Sequence, residues 1–199
     1  MNNYIITISR EFGCGAQDIA ISLASELGIK YYDKDLVDLV AKDMKVSSQI
    51  IKETDETVTS KNLLSKFSYG TSTVFYSESA INSQAKVIKT IAEKDENCIL
   101  FGRCSDYILR EYPNVIKFFL YAPLEMRIKH ISDKFGLDRN EAIKLIKRTD
   151  KQRHNYYKYV TGQNRGDRYG KDMMIDVETF GKEGTVEMMK KAVMYRFNL

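Results

Sequence analysis

The order of short apolar runs and amphipathic segments along this chain predicts an α/β fold of three layers, a mostly parallel sheet with helices on both faces. Three observations carry that expectation. Strand-like runs alternate with helix-like segments, and the connections have crossover rather than hairpin length. The first strand-like run passes through a glycine-containing turn straight into a helix pattern, over Ser9–Asp18. Finally, 199 residues at 43% hydrophobic and 29% charged content, without repeats or low-complexity tracts, suit one sizeable core, so a single domain over 1–199 is expected.

Each element has its own signal. Tyr4 to Ile8 is short, β-branched and bounded by polar residues, the mark of a buried strand. Ile19, Ala20, Leu23, Ala24 and Leu27 recur at helical spacing, and Gly28 stands where a left-handed cap ends the helix. Ile29–Tyr32 reads as a second strand, with Asp33 or Asp35 capping a helix that runs through Val40. Residues 44–85 lean helical but are poorly periodic, with a Ser/Thr/Tyr-rich middle, and are expected to form an insert. A helix over Gln84–Glu93 follows, then strands over Cys98–Phe101 and Val115–Tyr121. Pro123 is expected in the first turn of a helix ended by Gly136. Asp138 and Glu141 form a capping-box pattern for a long helix to about Tyr157. A glycine-bearing loop over Thr161–Lys171, a strand over Met173–Val177 and a helix over Glu183–Tyr195 complete the chain.

Composition excludes several classes. Cys14, Cys98 and Cys104 are odd in number and form no C-x-x-C pair, which favours a reducing compartment. His130 and His154 lack metal-ligand spacing. No apolar stretch reaches membrane length and the N-terminus is not signal-like, so a cytoplasmic protein is expected. The net charge of +4 is uneven: Lys144 to Lys171 holds nine Lys or Arg against Asp150 and Asp167, a segment of +7 on a remainder of −3. Such a concentration fits either a local anionic partner or a solvated helix face.

The turn S-R-E-F-G-C-G-A-Q-D places glycines and a helix N-terminus directly after a strand, which makes an anion site from backbone N–H groups and the helix dipole. Its candidate phosphate-binding residues are Ser9, Arg10, Gly13, Cys14, Gly15, Ala16, Gln17 and Asp18. Against the pattern G-x-x-x-x-G-K-[ST], Arg10 takes the first glycine position and Ala16 the lysine position, and no hydroxyl follows. Loss of one preorganised donor costs roughly 10²–10³ in rate, which another cation reaching the same place can offset. Arg10 and Lys34 are the candidates. No set of side chains forms a complete metal site, although Ser9 or Asp18 could hold magnesium directly or through water.

The stretch I-T-I-S-R-E-F-G-C-G-A-Q-D-I-A, then I-L-F-G-R-C-S-D-Y-I-L, F-F-L-Y-A-P-L-E-M-R-I, R-T-D-K-Q-R-H-N-Y-Y-K-Y-V-T-G and M-M-I-D-V resemble, in order, the cytidylate kinase-like family. That family carries S-R-E-[FY]-G-[SC]-G where related kinases carry a lysine-bearing loop. The resemblance runs from Ile5 to about Val193. It implies a P-loop NTPase-like fold with the nucleoside-monophosphate kinase layout, and ATP-dependent phosphoryl transfer with Mg²⁺ to a nucleoside monophosphate of cytidine type. It further implies that Arg148, Asp150 and Arg153 lie on a lid over 138–171 and act in catalysis. Arg103, after the third strand, and Asp33 and Lys34, after the second, would hold the acceptor. Tyr156, Tyr157 and Tyr159 are expected to pack the lid rather than stack a base. Two other readings stand beside this one: a nucleotide- or phosphate-binding module without turnover, favoured by Ala16, and an RNA-contacting surface built on the cationic segment with its tyrosines.

Overall fold

The computed structural model of the chain describes residues 3–44 and 78–199, and most of the insert expected over 44–85 lies outside the described residues. The elements in order are β1 (Ile5–Arg10), α1 (Ala16–Leu27), β2 (Lys30–Tyr32), α2 (Lys34–Asp43), α3 (Glu78–Ala92), β3 (Cys98–Phe101), α4 (Ser105–Ile108), β4 (Val115–Tyr121), α5 (Leu124–Phe135), α6 (Arg139–Thr161), β5 (Met173–Asp176) and α7 (Val177–Phe197). The five strands form one sheet in the order β2-β3-β1-β4-β5, every pair parallel.

Strand alternation divides the core between the two faces. Ile6 and Ile8 of β1 join Phe118, Leu120 and Ile175 against α1 and α7, through Ile19, Leu23, Val186 and Met189. Ile5, Cys98, Leu100 and Val115 face the other way, onto Leu36 and Val40 of α2 and Ile88 and Ile91 of α3. A smaller cluster locks α5 to α6 through Ile128, Ile131, Leu145 and Ile146, with Phe12 of the loop after β1 packed into it. Among the described residues, no helix is long and apolar enough to cross a membrane.

Several boundaries differ from the sequence expectation, each for a tertiary reason. β1 extends to Arg10, because Ser9 and Arg10 pair with Phe119 and Leu120 of β4. Pro123 is the cap of α5 rather than a first-turn residue, its ψ of 147° lying outside the helical range. The short helix α4 has no apolar periodicity to announce it and follows the left-handed residues Arg103 and Cys104. α7 begins at Val177, capped by the Asp176 side chain, and Gly181 breaks its first turns from the rest. Gly28 and Gly136 cap α1 and α5 in the left-handed conformation, as expected. The capping box is also present, Asp138 accepting from the Glu141 N–H at 2.9 Å while Glu141 accepts from the Asp138 N–H at 3.0 Å.

Candidate phosphate-binding site

In an open parallel sheet the ligand crevice forms at the carboxyl ends of strands whose connections diverge. Here that place is the end of β1, flanked by β3 on one side and β4 on the other. The loop leaving β1 is pinned early: the Glu11 N–H donates to the Leu120 carbonyl at 2.9 Å, and the Phe12 N–H to Asp150 Oδ1 at 2.9 Å. Gly13 follows at φ 88°, where a Cβ would stand 2.9 Å from Ile131 Cγ1 and 3.2 Å from the Arg127 carbonyl. Only glycine lets α5 sit that close to the loop. Gly15 caps α1, and the first intrahelical bond runs from the Ile19 N–H to the Gly15 carbonyl at 3.3 Å. The N–H groups ahead of Ile19 are therefore left at the helix end, with the positive pole of the dipole.

A cavity of about 340 Å³ opens over this end. Ser9, Arg10, Gly13, Cys14, Gly15, Ala16, Gln17 and Asp18 all line it, as do Asp33, Arg103 and Arg153. Their contributions differ. Cys14 turns its side chain into the core, its thiol 3.6 Å from the Leu120 carbonyl and pushed up to about 11 by burial, so it meets the cavity through its backbone. Ala16 is buried at 3% exposure, a methyl group where a lysine would stand. Asp33 accepts from Gln17 Nε2 at 3.2 Å and from the Tyr31 hydroxyl at 3.3 Å, which ties the end of β2 to the start of α1.

The cations are arranged in two ways. Asp150 is the centre of a network: its Oδ2 accepts from Arg127 Nη1 at 2.5 Å, and its Oδ1 accepts from Arg165 Nη2 at 2.9 Å as well as from the Phe12 N–H. Arg165 also donates to the Arg10 carbonyl at 2.6 Å, and Arg127 to the Phe12 carbonyl at 3.2 Å. Arg10 and Arg153, in contrast, make no ion pair among the described residues and rest on rings. The Arg10 guanidinium is 3.8 Å from the Phe101 ring centroid, and that of Arg153 is 5.2 Å from the Phe12 centroid. Burial holds the pKa of Arg153 well below the usual guanidinium value, and repulsion from Arg10 and Arg165 lowers it further. The site thus carries positive charge that the protein itself does not neutralise, the condition for holding a polyanion.

A model of the cytidylate kinase-like family matches residues 5–179. The chain belongs to that family. Among curated proteins, a cytidylate kinase of Thermococcus sibiricus is 23% identical over 192 residues, covering 95% of this chain and 87% of its own length. Another, from Methanopyrus kandleri, is 28% identical over 110 residues, covering 51% and 57%. Among solved structures, an uncharacterized protein from Eubacterium ventriosum is similar at 26% identity and a TM-score of 0.71, with 96% of this chain and 98% of that one covered. A shikimate kinase from Bacteroides thetaiotaomicron shares the fold at 11% identity and a TM-score of 0.54, covering 98% and 99%. Family and fold are both kinase-like.

Against the family resemblance, the long helix sorts its residues by face. Arg153 reaches the cavity, whereas Arg148, five residues earlier, is exposed and outside the lining. Five residues turn a helix by about 140° beyond a full circle, so one side chain points inward and the other to solvent. Asp150 lies between them as the ion-paired hub of the loop, and its carboxylate oxygens are engaged by Phe12, Arg127 and Arg165. Lys34 opens α2. Tyr156 and Tyr157 pack at 7% and 5% exposure, bonded to Gln84 Oε1 and Asp106 Oδ2, while Tyr159 is 61% exposed. Sequence reasoning did not single out Arg165 or Arg127. Arg165 lies inside the cationic segment, between Asn164 and Gly166, and its glycine-flanked place was its one signal. Arg127 lies in the stretch F-F-L-Y-A-P-L-E-M-R-I that carries the family resemblance, and that membership was its one signal.

Proposed function

We propose that the protein transfers a phosphoryl group from ATP to a nucleoside monophosphate, a cytidine nucleotide first among the acceptors. The observation that carries this reading is the pair Arg10 and Arg153, two guanidiniums without a carboxylate partner among the described residues, lining one cavity with the N-terminus of α1. Phosphoryl transfer needs positioning and stabilisation of spread negative charge far more than covalent chemistry. The loop from Gly13 to Gln17 would hold the donor phosphates through backbone N–H groups. Arg153, reaching down from α6, would meet the charge that develops on the transferring group. Asp150 would keep Arg165 and the loop in register as a positioning residue, and Asp33 and Arg103 would face the acceptor.

The donor set suits magnesium, which takes oxygen ligands and keeps several waters alongside one or two carboxylates and the phosphates. Ser9 and Asp18, a hydroxyl and a carboxylate residue, line the cavity and would hold the ion. When bound it would offset the negative charge of the donor phosphates.

The relatives named cytidylate kinase support this choice of acceptor. Ala16 favours a second reading, a nucleotide-binding module without turnover. Measuring ATP consumption with CMP, dCMP and UMP separates them. Turnover is expected with a cytidine nucleotide and not with ATP alone. ATP binding with no turnover on any acceptor would leave the binding module.

A further inference from the structure

We propose that Arg10 stands in for the missing loop lysine, and that Gly102, on the neighbouring strand, is the positioning residue that aims Arg10 into the phosphate cradle. The inference rests on the reading of the loop as a phosphate site and names how that site is completed.

Within the loop, position 16 offers a buried methyl group, so a cation must come from elsewhere. Strand alternation supplies it. Ile6 and Ile8 point into the core beside α1, and Arg10 is the next residue on that face. Ile8 is level with Phe101, the last residue of β3, so the Arg10 side chain emerges just past the end of the neighbouring strand. There it folds onto the Phe101 ring, 3.8 Å from the centroid. The ring orients the guanidinium without neutralising it.

Gly102 makes this pose possible. A Cβ at that position would lie 2.2 Å from Arg10 Nη1 and 3.4 Å from its Cζ, so any side chain there displaces the guanidinium. The backbone is unusual as well: Gly102, Arg103 and Cys104 have φ of 78°, 58° and 57°, three left-handed residues in succession. Two of the three are not glycine, and such conformations persist where the surroundings enforce them. Gln84 is one enforcer, its Nε2 donating to the Arg103 carbonyl at 3.0 Å.

Charge accounts for the choice of arginine. Burial pushes the Arg10 pKa down to about 10, with Arg165 and Arg103 lowering it and Asp33 pulling it back up. An arginine remains protonated there at neutral pH. A lysine begins about two units lower and, driven down by the same burial, would lose much of its charge. The fork also allows two phosphate oxygens to be bound at once.

The test is equilibrium binding of inorganic tripolyphosphate, followed by calorimetry, to the full chain and its variants, each checked for a wild-type melting profile. Arg10→Ala is expected to weaken binding roughly 10- to 100-fold, the range for hydrogen bonds to charged groups, and Arg10→Lys to recover only part of it. Gly102→Ala should weaken binding with Arg10 present and add nothing in the Arg10→Ala background. If Gly102→Ala does not fold, Phe101→Leu removes the ring instead, with a loss of roughly three- to tenfold that again requires Arg10. Arg10→Ala that binds as wild type overturns the substitution for lysine. Losses from Gly102 or Phe101 that persist without Arg10 overturn the positioning role. Wild type that fails to bind tripolyphosphate overturns the phosphate-site reading together with this inference, which distinguishes the two failures.

Discussion

Arg127 and Arg165 on one side of the loop, and Arg10 and Arg153 on the other, are the same residue type at similar depth with opposite surroundings. The first pair shares one carboxylate, Asp150, and meets two backbone carbonyls, with Glu11 Oε2 a further 3.5 Å from Arg127 Nε. The second pair meets aromatic faces, Phe101 and Phe12. A carboxylate partner consumes the charge and fixes a scaffold, whereas a ring fixes direction and leaves the charge for something else. The contrast separates arginines that build the loop from arginines that wait for an anion.

The strongest way to break the comparison is at its paired side. Asp150→Ala would leave Arg165, at 12% side-chain exposure, without its counter-charge, Arg127 with Glu11 alone, and the Phe12 N–H without its acceptor. A loss of about 3 kcal/mol is expected in urea unfolding, the lower end for broken buried pairs, because Glu11 remains beside Arg127. A loss near zero would mean that Asp150 is not the organiser of the loop.

The unpaired side should respond in function rather than in stability. Arg153→Ala is expected to leave the unfolding midpoint near wild type, since it removes a charge already disfavoured by burial and by Arg10 and Arg165. Phosphoryl-transfer rate should fall roughly 10²-fold or more, with ATP affinity changing less. Arg148→Ala, on the exposed face of the same helix, should alter the rate by about twofold at most. Equal effects of the two in the same assay would erase the distinction between faces.

The smallest effect sharpens the comparison through pH. His130 lines the same cavity, and burial lowers its pKa from the ordinary 6.5, with Lys134 adding to the shift and Asp18 and Asp133 opposing it. The fold favours the neutral ring, so the unfolded chain takes up the proton first. Stability from this group is complete above 6.5 and declines as pH falls from there toward the lowered folded value. His130→Gln should flatten that decline in a pH series of melting temperatures. Tripolyphosphate should flatten it too, because a bound anion favours the protonated ring.

Much of the architecture was legible in the chain itself. The alternation of strands and helices, the caps at Gly28 and Gly136 and the box at Asp138 are local patterns, and each came out where its spacing places it. The glycine turn after β1 was legible for the same reason, since φ preference and helix polarity act within a few residues. The rest was decided between elements. β1 reaches Arg10 because β4 lies alongside it, which made a residue expected in the loop into the last residue of a strand. Asp150 found its partners at separations of 15, 23 and 138 residues, and no periodicity in the chain marks them. Arg148 and Arg153 are alike in sequence, and only the packing of α6 on α5 decides which one faces the cavity. Hydrophobic spacing writes the elements into the sequence one turn at a time. The charge left unneutralised around Gly13 to Gln17 is a property of the assembled pairs, and exists only after the helices have settled which arginine Asp150 will hold.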